Sequence, residues 1–266
     1  MKRTIAIFIA AALLQIIPVA AIGQTVRTSD SRARTGWRYK AKQQVQPKVS
    51  DTKYYISKEE MPDLVKCLPA PPDSASLDFE RDQLRYLWGK RQRADKAVVA
   101  RVTRDAIWDI DTLAAIFSVP FGVEISEART PAIYRVFKKS VHTMGLIRKD
   151  PKAYYNRTRP FVYFDEHMLT TWEEDELRGE GSYPSGHTIR GWAAALILTQ
   201  INPEAADALF LRGWEYGESR VIAGAHWQSD VDASRPAASI AFSRLQSIPE
   251  FRKDLADAIR EFESLP

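Results

Sequence analysis

The chain has 266 residues, 45% apolar and 27% charged, enough to build a core and too apolar for wholesale disorder. Its one cysteine, Cys67, excludes an intrachain disulfide and a cysteine-rich zinc site. The formal net charge is +4, but nine Lys and Arg against Asp30 and Asp51 sit in residues 24–58, whereas residues 59–266 hold 27 basic against 32 acidic residues. The body is mildly acidic, so it offers no general basic surface, and no nucleic-acid partner is expected.

In chain order, residues 1–23 read as a signal peptide. Lys2 and Arg3 precede an uncharged apolar run from Ile5 to Ile22, and Ala21-Ile22-Gly23 offers small residues for a cut after Gly23. Pro18 and that small-residue exit favour cleavage over retention as a membrane anchor. The expected location is therefore periplasmic or secreted, and no further segment is apolar enough to place the mature body in a membrane. Residues 24–52, rich in Arg, Lys, Gln, Ser and Thr, read as a basic flexible tail. Residues 53–75, with Pro69, Pro71 and Pro72, read as an extended strap over a single domain that fills 53–266.

From Ser76 onward the apolar spacing is helical. Phe79, Leu84, Leu87 and Trp88 form one set; Val98, Val99, Val102, Ile107 and Ile110 a second; Ile133, Val136, Phe137, Val141 and Met144 a third. Pro131 suits the first turn of a helix after Thr130. Alternating strand patterns are scarce, so the fold class is all-α, a helical bundle of seven to nine helices.

Three segments carry phosphate chemistry. In Lys152-Ala-Tyr-Tyr-Asn-Arg-Thr-Arg159-Pro160, the lysine supplies a point charge and the arginine a fork for two phosphate oxygens; the proline ends the helical run. In Gly181-Ser-Tyr-Pro-Ser185-Gly186-His187-Thr188, a turn opens a helix whose free N–H groups and dipole favour an anion. Ser185 adds a hydroxyl there, Gly186 permits close backbone approach, and His187 adds a titratable ring. In Ser219-Arg220-x5-His226-x3-Asp230, the i,i+4 carboxylate can hold the imidazole tautomer and leave the other nitrogen as an oriented nucleophile or base. Taken singly, each segment also has a plain structural reading: a solvated basic helix end, a capped helix, a surface His–Asp pair.

Taken together, the segments contain Lys-x6-Arg-Pro, Pro-Ser-Gly-His and Ser-Arg-x5-His-x3-Asp, with 23 residues between the first two and 31 between the last two, and they match all eleven specified positions of a known three-part motif. It is that of the phosphatidic acid phosphatase type 2 and vanadium haloperoxidase superfamily. The octet Gly181–Thr188, Tyr154-Tyr155, Arg159-Pro160-Phe161, His226 through Asp232 and the strap's Leu68-Pro69 resemble the bacterial class A non-specific acid phosphatases within it. The resemblance covers residues 53–245 and leaves out the basic tail.

The resemblance implies that superfamily's helical fold and a metal-independent acid phosphatase acting on a broad range of phosphomonoesters, without a cofactor. It implies a phosphohistidine on His226, steadied by Asp230, with His187 as general acid and base. Lys152, Arg159, Ser185, Gly186 and Arg220 would bind the phosphate. Inorganic phosphate is the expected product, vanadate an inhibitor, phosphotransfer a side activity and a homo-oligomer the expected assembly. The alternative is a vanadium-dependent haloperoxidase using the same cradle. His142 and His167 lie outside the motif and read as structural. The stretch with Phe164, Trp172 and Glu173–Glu176 reads equally as pocket rim or as a solvated loop.

Overall fold

The computed structural model describes residues 53–266; the expected signal peptide and basic tail lie outside these residues. Eight helices of ten or more residues form the body, and no strand occurs among the described residues. In chain order they are α2 (Leu77–Gln92), α3 (Lys96–Asp105), α4 (Ile110–Phe121), α5 (Pro131–Gly145), α9 (Gly186–Ile201), α10 (Ala206–Ala223), α11 (Gln228–Leu245) and α12 (Pro249–Glu263). Short helices fill the connections: α1 (Leu64–Cys67), α6 (Lys149–Tyr155), α7 (Pro160–Tyr163) and α8 (Glu174–Arg178). No helix among the described residues is long and apolar enough to cross a membrane.

α9 is the axis of the bundle. It packs against α5, α10 and α11, and it is buried on nearly every side. A helix so enclosed needs small residues where its neighbours press close. Ala193, Ala194 and Ala195 are fully buried along it, and a Cβ at Gly191 would meet the Tyr216 ring at 2.5 Å. The core around it joins Leu113, Phe117, Ile133, Val136, Phe137, Val141, Ile197, Leu198 and Phe251. The consequence for function is that the N-terminus of α9 is held by packing on several sides.

Four expectations need correction. In α2 the periodic set is split: Phe79 is buried with Tyr86, but Leu84 and Leu87 face solvent. The face turned inward instead carries Asp82, which is buried because it holds an arginine, as described below. The set from Val98 to Ile110 is broken by a turn at Ala106–Trp108, and Asp109 caps a new helix by accepting from Thr112 N at 2.7 Å. Pro160 does not end the basic helical run. That run stops at Tyr155, where Asn156 takes a left-handed φ of 39°, a conformation asparagine tolerates. Pro160 starts α7, in the first-turn position where a missing N–H costs nothing.

The strap is not uniformly extended, since it contains α1. It is tied down at Tyr55, whose N–H reaches Thr143 Oγ1 at 2.9 Å, and at Pro69, whose carbonyl accepts from Tyr183 Oη at 2.6 Å. Cys67 is an exposed free thiol within it.

Candidate active site

The three motif segments converge on one cavity of about 90 Å³, room for about three waters at ~30 Å³ each or one small oxyanion. Lys152 of α6, Arg159 before α7, Gly186 and His187 at the start of α9, and His226 between α10 and α11 all line it. Three separate helix ends therefore meet at one point.

His226 is buried, at 2% exposure. Its Nδ1 lies 3.4 Å from Asp230 Oδ2, and its Nε2 lies 3.1 Å from an Arg159 guanidinium nitrogen. Because arginine only donates, Nε2 accepts, and Nδ1 carries the proton toward Asp230. Asp230 is itself locked: Oδ2 also accepts from Trp227 N at 2.9 Å, and Oδ1 accepts from Arg157 at 2.6 Å. The imidazole thus presents a lone pair to the cations of the cavity. Burial, followed by Arg159, Lys152 and Arg220, pushes its pKa well below the ordinary value, so the ring is neutral.

His187 packs its ring against Trp108, with centroids 4.6 Å apart, and its Nε2 lies 3.1 Å from the Ala106 carbonyl. A carbonyl only accepts, so Nε2 bears the proton and Nδ1 is the nitrogen left for exchange. Burial, with Arg220 and Arg190, pushes this pKa well down too.

The cations are already engaged. Lys152 Nζ donates to Gly181 O at 2.6 Å and to Glu180 at 3.2 Å; Arg159 donates to Glu180 Oε2 at 3.1 Å and to Ala225 O at 3.0 Å. Arg220 is fully buried, and its fork closes on Glu173 at 2.8 and 3.1 Å. Burial and the neighbouring Arg159 bring the Lys152 pKa down to about 7. Ser185 caps α9, its Oγ accepting from Thr188 N at 3.3 Å and from Thr188 Oγ1 at 3.0 Å. With both lone pairs used, its own O–H remains a donor.

Four important residues were missed in the sequence. Arg157 bridges Asp230 to the buried Asp82, donating to Asp82 at 2.7 Å, so it orients the carboxylate behind His226. The available signal was its spacing: in a non-helical stretch residues two apart, such as Arg157 and Arg159, share a face, and both reach the His226–Asp230 pair. Trp108 and Arg148 line the cavity beside His187, and no spacing pattern announced either. Glu180 was also unforeseen. The rim reading holds for Glu173 and Glu176, which line the cavity, whereas Phe164 turns away to stack on Tyr86 with centroids 4.6 Å apart and Trp172 is exposed. His142 and His167 stay outside the cavity; His167 pairs with Glu174 at 3.0 Å.

Comparison with known proteins agrees with this geometry. Residues 137–245 match the PAP2 superfamily model. A non-specific acid phosphatase of Providencia stuartii is 41% identical over 213 residues, covering 80% of this chain and 86% of that protein. A non-specific acid phosphatase of Salmonella typhimurium is 41% identical over 196 residues, 73% of this chain and 78% of that protein. An acid phosphatase of Zymomonas mobilis is 32% identical over 194 residues, 73% of this chain and 74% of that protein. A helical bundle that brings two histidines and two motif cations to one anion-sized cavity fits a PAP2 architecture. The chain belongs to the bacterial non-specific acid phosphatase family of the PAP2 superfamily.

Proposed function

We propose that the protein is an exported acid phosphatase that cleaves phosphomonoesters through a phosphohistidine on His226. The observation that carries this is the His226 ring, neutral and held between Asp230 at 3.4 Å and Arg159 at 3.1 Å, with its lone pair turned to the cation-lined cavity. In the first step, Nε2 of His226 forms a bond to phosphorus as the bond from phosphorus to the ester oxygen breaks. The leaving oxygen takes a proton from Nδ1 of His187. In the second, a water oxygen attacks phosphorus, its proton passes to His187, and the P–N bond breaks to release inorganic phosphate. Asp230 steadies the imidazolium-like ring in between.

Lys152, Arg159 and Arg220 hold the transferring oxygens, joined by the Ser185 hydroxyl and the Gly186 N–H at the start of α9. To do so, the cations must exchange Glu173 and Glu180 for phosphate.

With its pKa depressed, His187 starts without the second proton, so an acid optimum would draw that proton from the substrate. At acid pH a monoester, with second pKa of about 6, arrives as a monoanion bearing the proton that His187 lacks. Inside the cavity the dianion and the imidazolium are the favoured pair, so the proton moves to Nδ1. The uncharged leader after Lys2 and Arg3 supports export.

The test is hydrolysis of an aryl phosphate at acidic pH with EDTA present, followed by acid-labile, alkali-stable labelling from a radioactive phosphate ester. Turnover with label in the wild type and neither in His226→Ala is expected. Turnover without label, or label retained in the variant, would remove the phosphohistidine; no turnover by folded wild type would remove the phosphatase.

A further inference from the structure

The motif cations account for the transferring phosphoryl group and leave the far wall of the cavity unexplained. In an in-line displacement the leaving oxygen departs opposite the nucleophile, on the side of the proton donor. His187 marks that side, and the residues around it are Trp108 and Arg148. Arg148 lies against the start of α9: a Cβ on Gly186 would meet its Cδ and Nε at 2.8 Å and the Trp108 ring at 3.3 Å. Gly186 is therefore needed for this side chain as well as for backbone approach.

Arg148 is also the odd cation of the cavity. Lys152 and Arg159 both pair with Glu180, at 3.2 and 3.1 Å, whereas no carboxylate lies within 4.0 Å of Arg148 among the described residues. Its protein hydrogen bond goes to the Gly145 carbonyl, which occupies one of five donors. Its guanidinium carbon sits 5.1 Å from the Trp108 ring centroid, with Arg190 over the same indole at 4.1 Å. Such stacking holds a guanidinium in place while leaving its edge donors open. Glu180, already shared by Lys152 and Arg159, acts on Arg148 only from beyond 4.0 Å, and a largely buried cation without a close counter-ion is costly unless a ligand supplies one.

We propose that Arg148, seated on Trp108, binds a carboxylate on the leaving group, so that the preferred substrates are phosphorylated hydroxy acids or phenolic acids. The assignment rests on the phosphatase reading and deepens it. A planar carboxylate matches the guanidinium fork. A second phosphate fits less well, because exposed Glu176 on the same rim repels a further dianion more strongly than a monoanion.

The experiment compares kcat/KM for 4-carboxyphenyl phosphate and its neutral 4-carbamoylphenyl isostere, in wild type, Arg148→Gln and Arg148→Lys. Wild type should favour the carboxylate about tenfold through a charge-assisted hydrogen bond. That preference should vanish in Arg148→Gln and survive in part in Arg148→Lys. A wild-type ratio near one overturns the assignment. So does an equal loss on both substrates in Arg148→Gln, which would make the residue a buttress for α9. If Arg148→Gln loses its cooperative melt, the wild-type ratio and the Arg148→Lys ratio decide. Hydrolysis of neither substrate by wild type would instead bring down the phosphatase reading itself.

Discussion

On the proposed mechanism one wall of the cavity would face the phosphoryl group and the other the leaving group, and the two are built by different means. The first is made of helix ends: α6, α9 and the α10–α11 junction each present a motif residue from a packed element. Its side chains are buried and cross-braced, as in the run from Asp82 through Arg157 and Asp230 to His226. The second is made of a turn, at Trp108, the short 3-10 turn after α5 with Arg148, and the stretch holding Glu173 to Glu180. Trp108 and Glu180 are exposed there. On that reading, reactivity would sit in the buried, cross-braced wall and selectivity in the more exposed, adaptable one.

The largest effects should come from the braced wall. His226→Ala removes the nucleophile and should cut kcat by about 10⁴-fold or more in steady-state hydrolysis. Arg159→Ala strips one donor from the transferring group and should cost about 10²–10³ in kcat. If both variants lose only a few-fold, the reaction does not run on this wall at all.

That wall was legible because its residues recur at set spacings, and spacing survives in one dimension. Lys152, Arg159, Ser185, Gly186, His187, Arg220, His226 and Asp230 could be chosen together, and the structure brings Lys152, Arg159, Gly186, His187 and His226 to one cavity, with Asp230 behind His226. Ser185 and Arg220 lie just behind it, one as a helix cap and one held by Glu173. Helical class was equally legible from period. The face of α2 was not, since a buried Asp82 paired with Arg157 breaks the rule that apolar residues mark the inside. Trp108 and Arg148 were hidden because residues 40 apart meet only through the packing of a turn against the end of a helix.

Burial of neutral histidines sets a pH dependence of stability opposite to the acid preference of the chemistry. His187 and His226 are held well below 6.5, and burial brings His142 down to about 4. Their folded pKa values lie below the unfolded ones, so the stabilisation is complete above 6.5 and is lost as pH falls below it. Calorimetric melts should show stability dropping between pH 7 and pH 5, by about 2 kcal/mol for each ring that stays neutral over that range. A flat profile would mean that these rings are protonated in the fold.

Lys152 gives a smaller effect on the alkaline side. With its pKa near about 7, the free enzyme loses a phosphate-binding charge as pH rises, and kcat/KM should fall up to about tenfold per pH unit above that point. Lys152→Arg keeps the charge and should move the break upward. A break that stays in place belongs to the substrate or another group.

The smallest effect tests how the two walls meet. Glu173, with 12% of its side chain exposed, closes on both arms of Arg220 from the adaptable side. If this carboxylate stands where an oxyanion must bind, Glu173→Gln removes a competitor but keeps a carbonyl oxygen to hold the guanidinium. The gain should be about 1 kcal/mol, so inhibition by inorganic phosphate should tighten about fivefold, with kcat changed less than the inhibition constant. If Glu173 instead aims Arg220 at the phosphoryl group, the same variant weakens phosphate binding. The sign of the change therefore decides whether the acidic rim opposes the cradle or belongs to it.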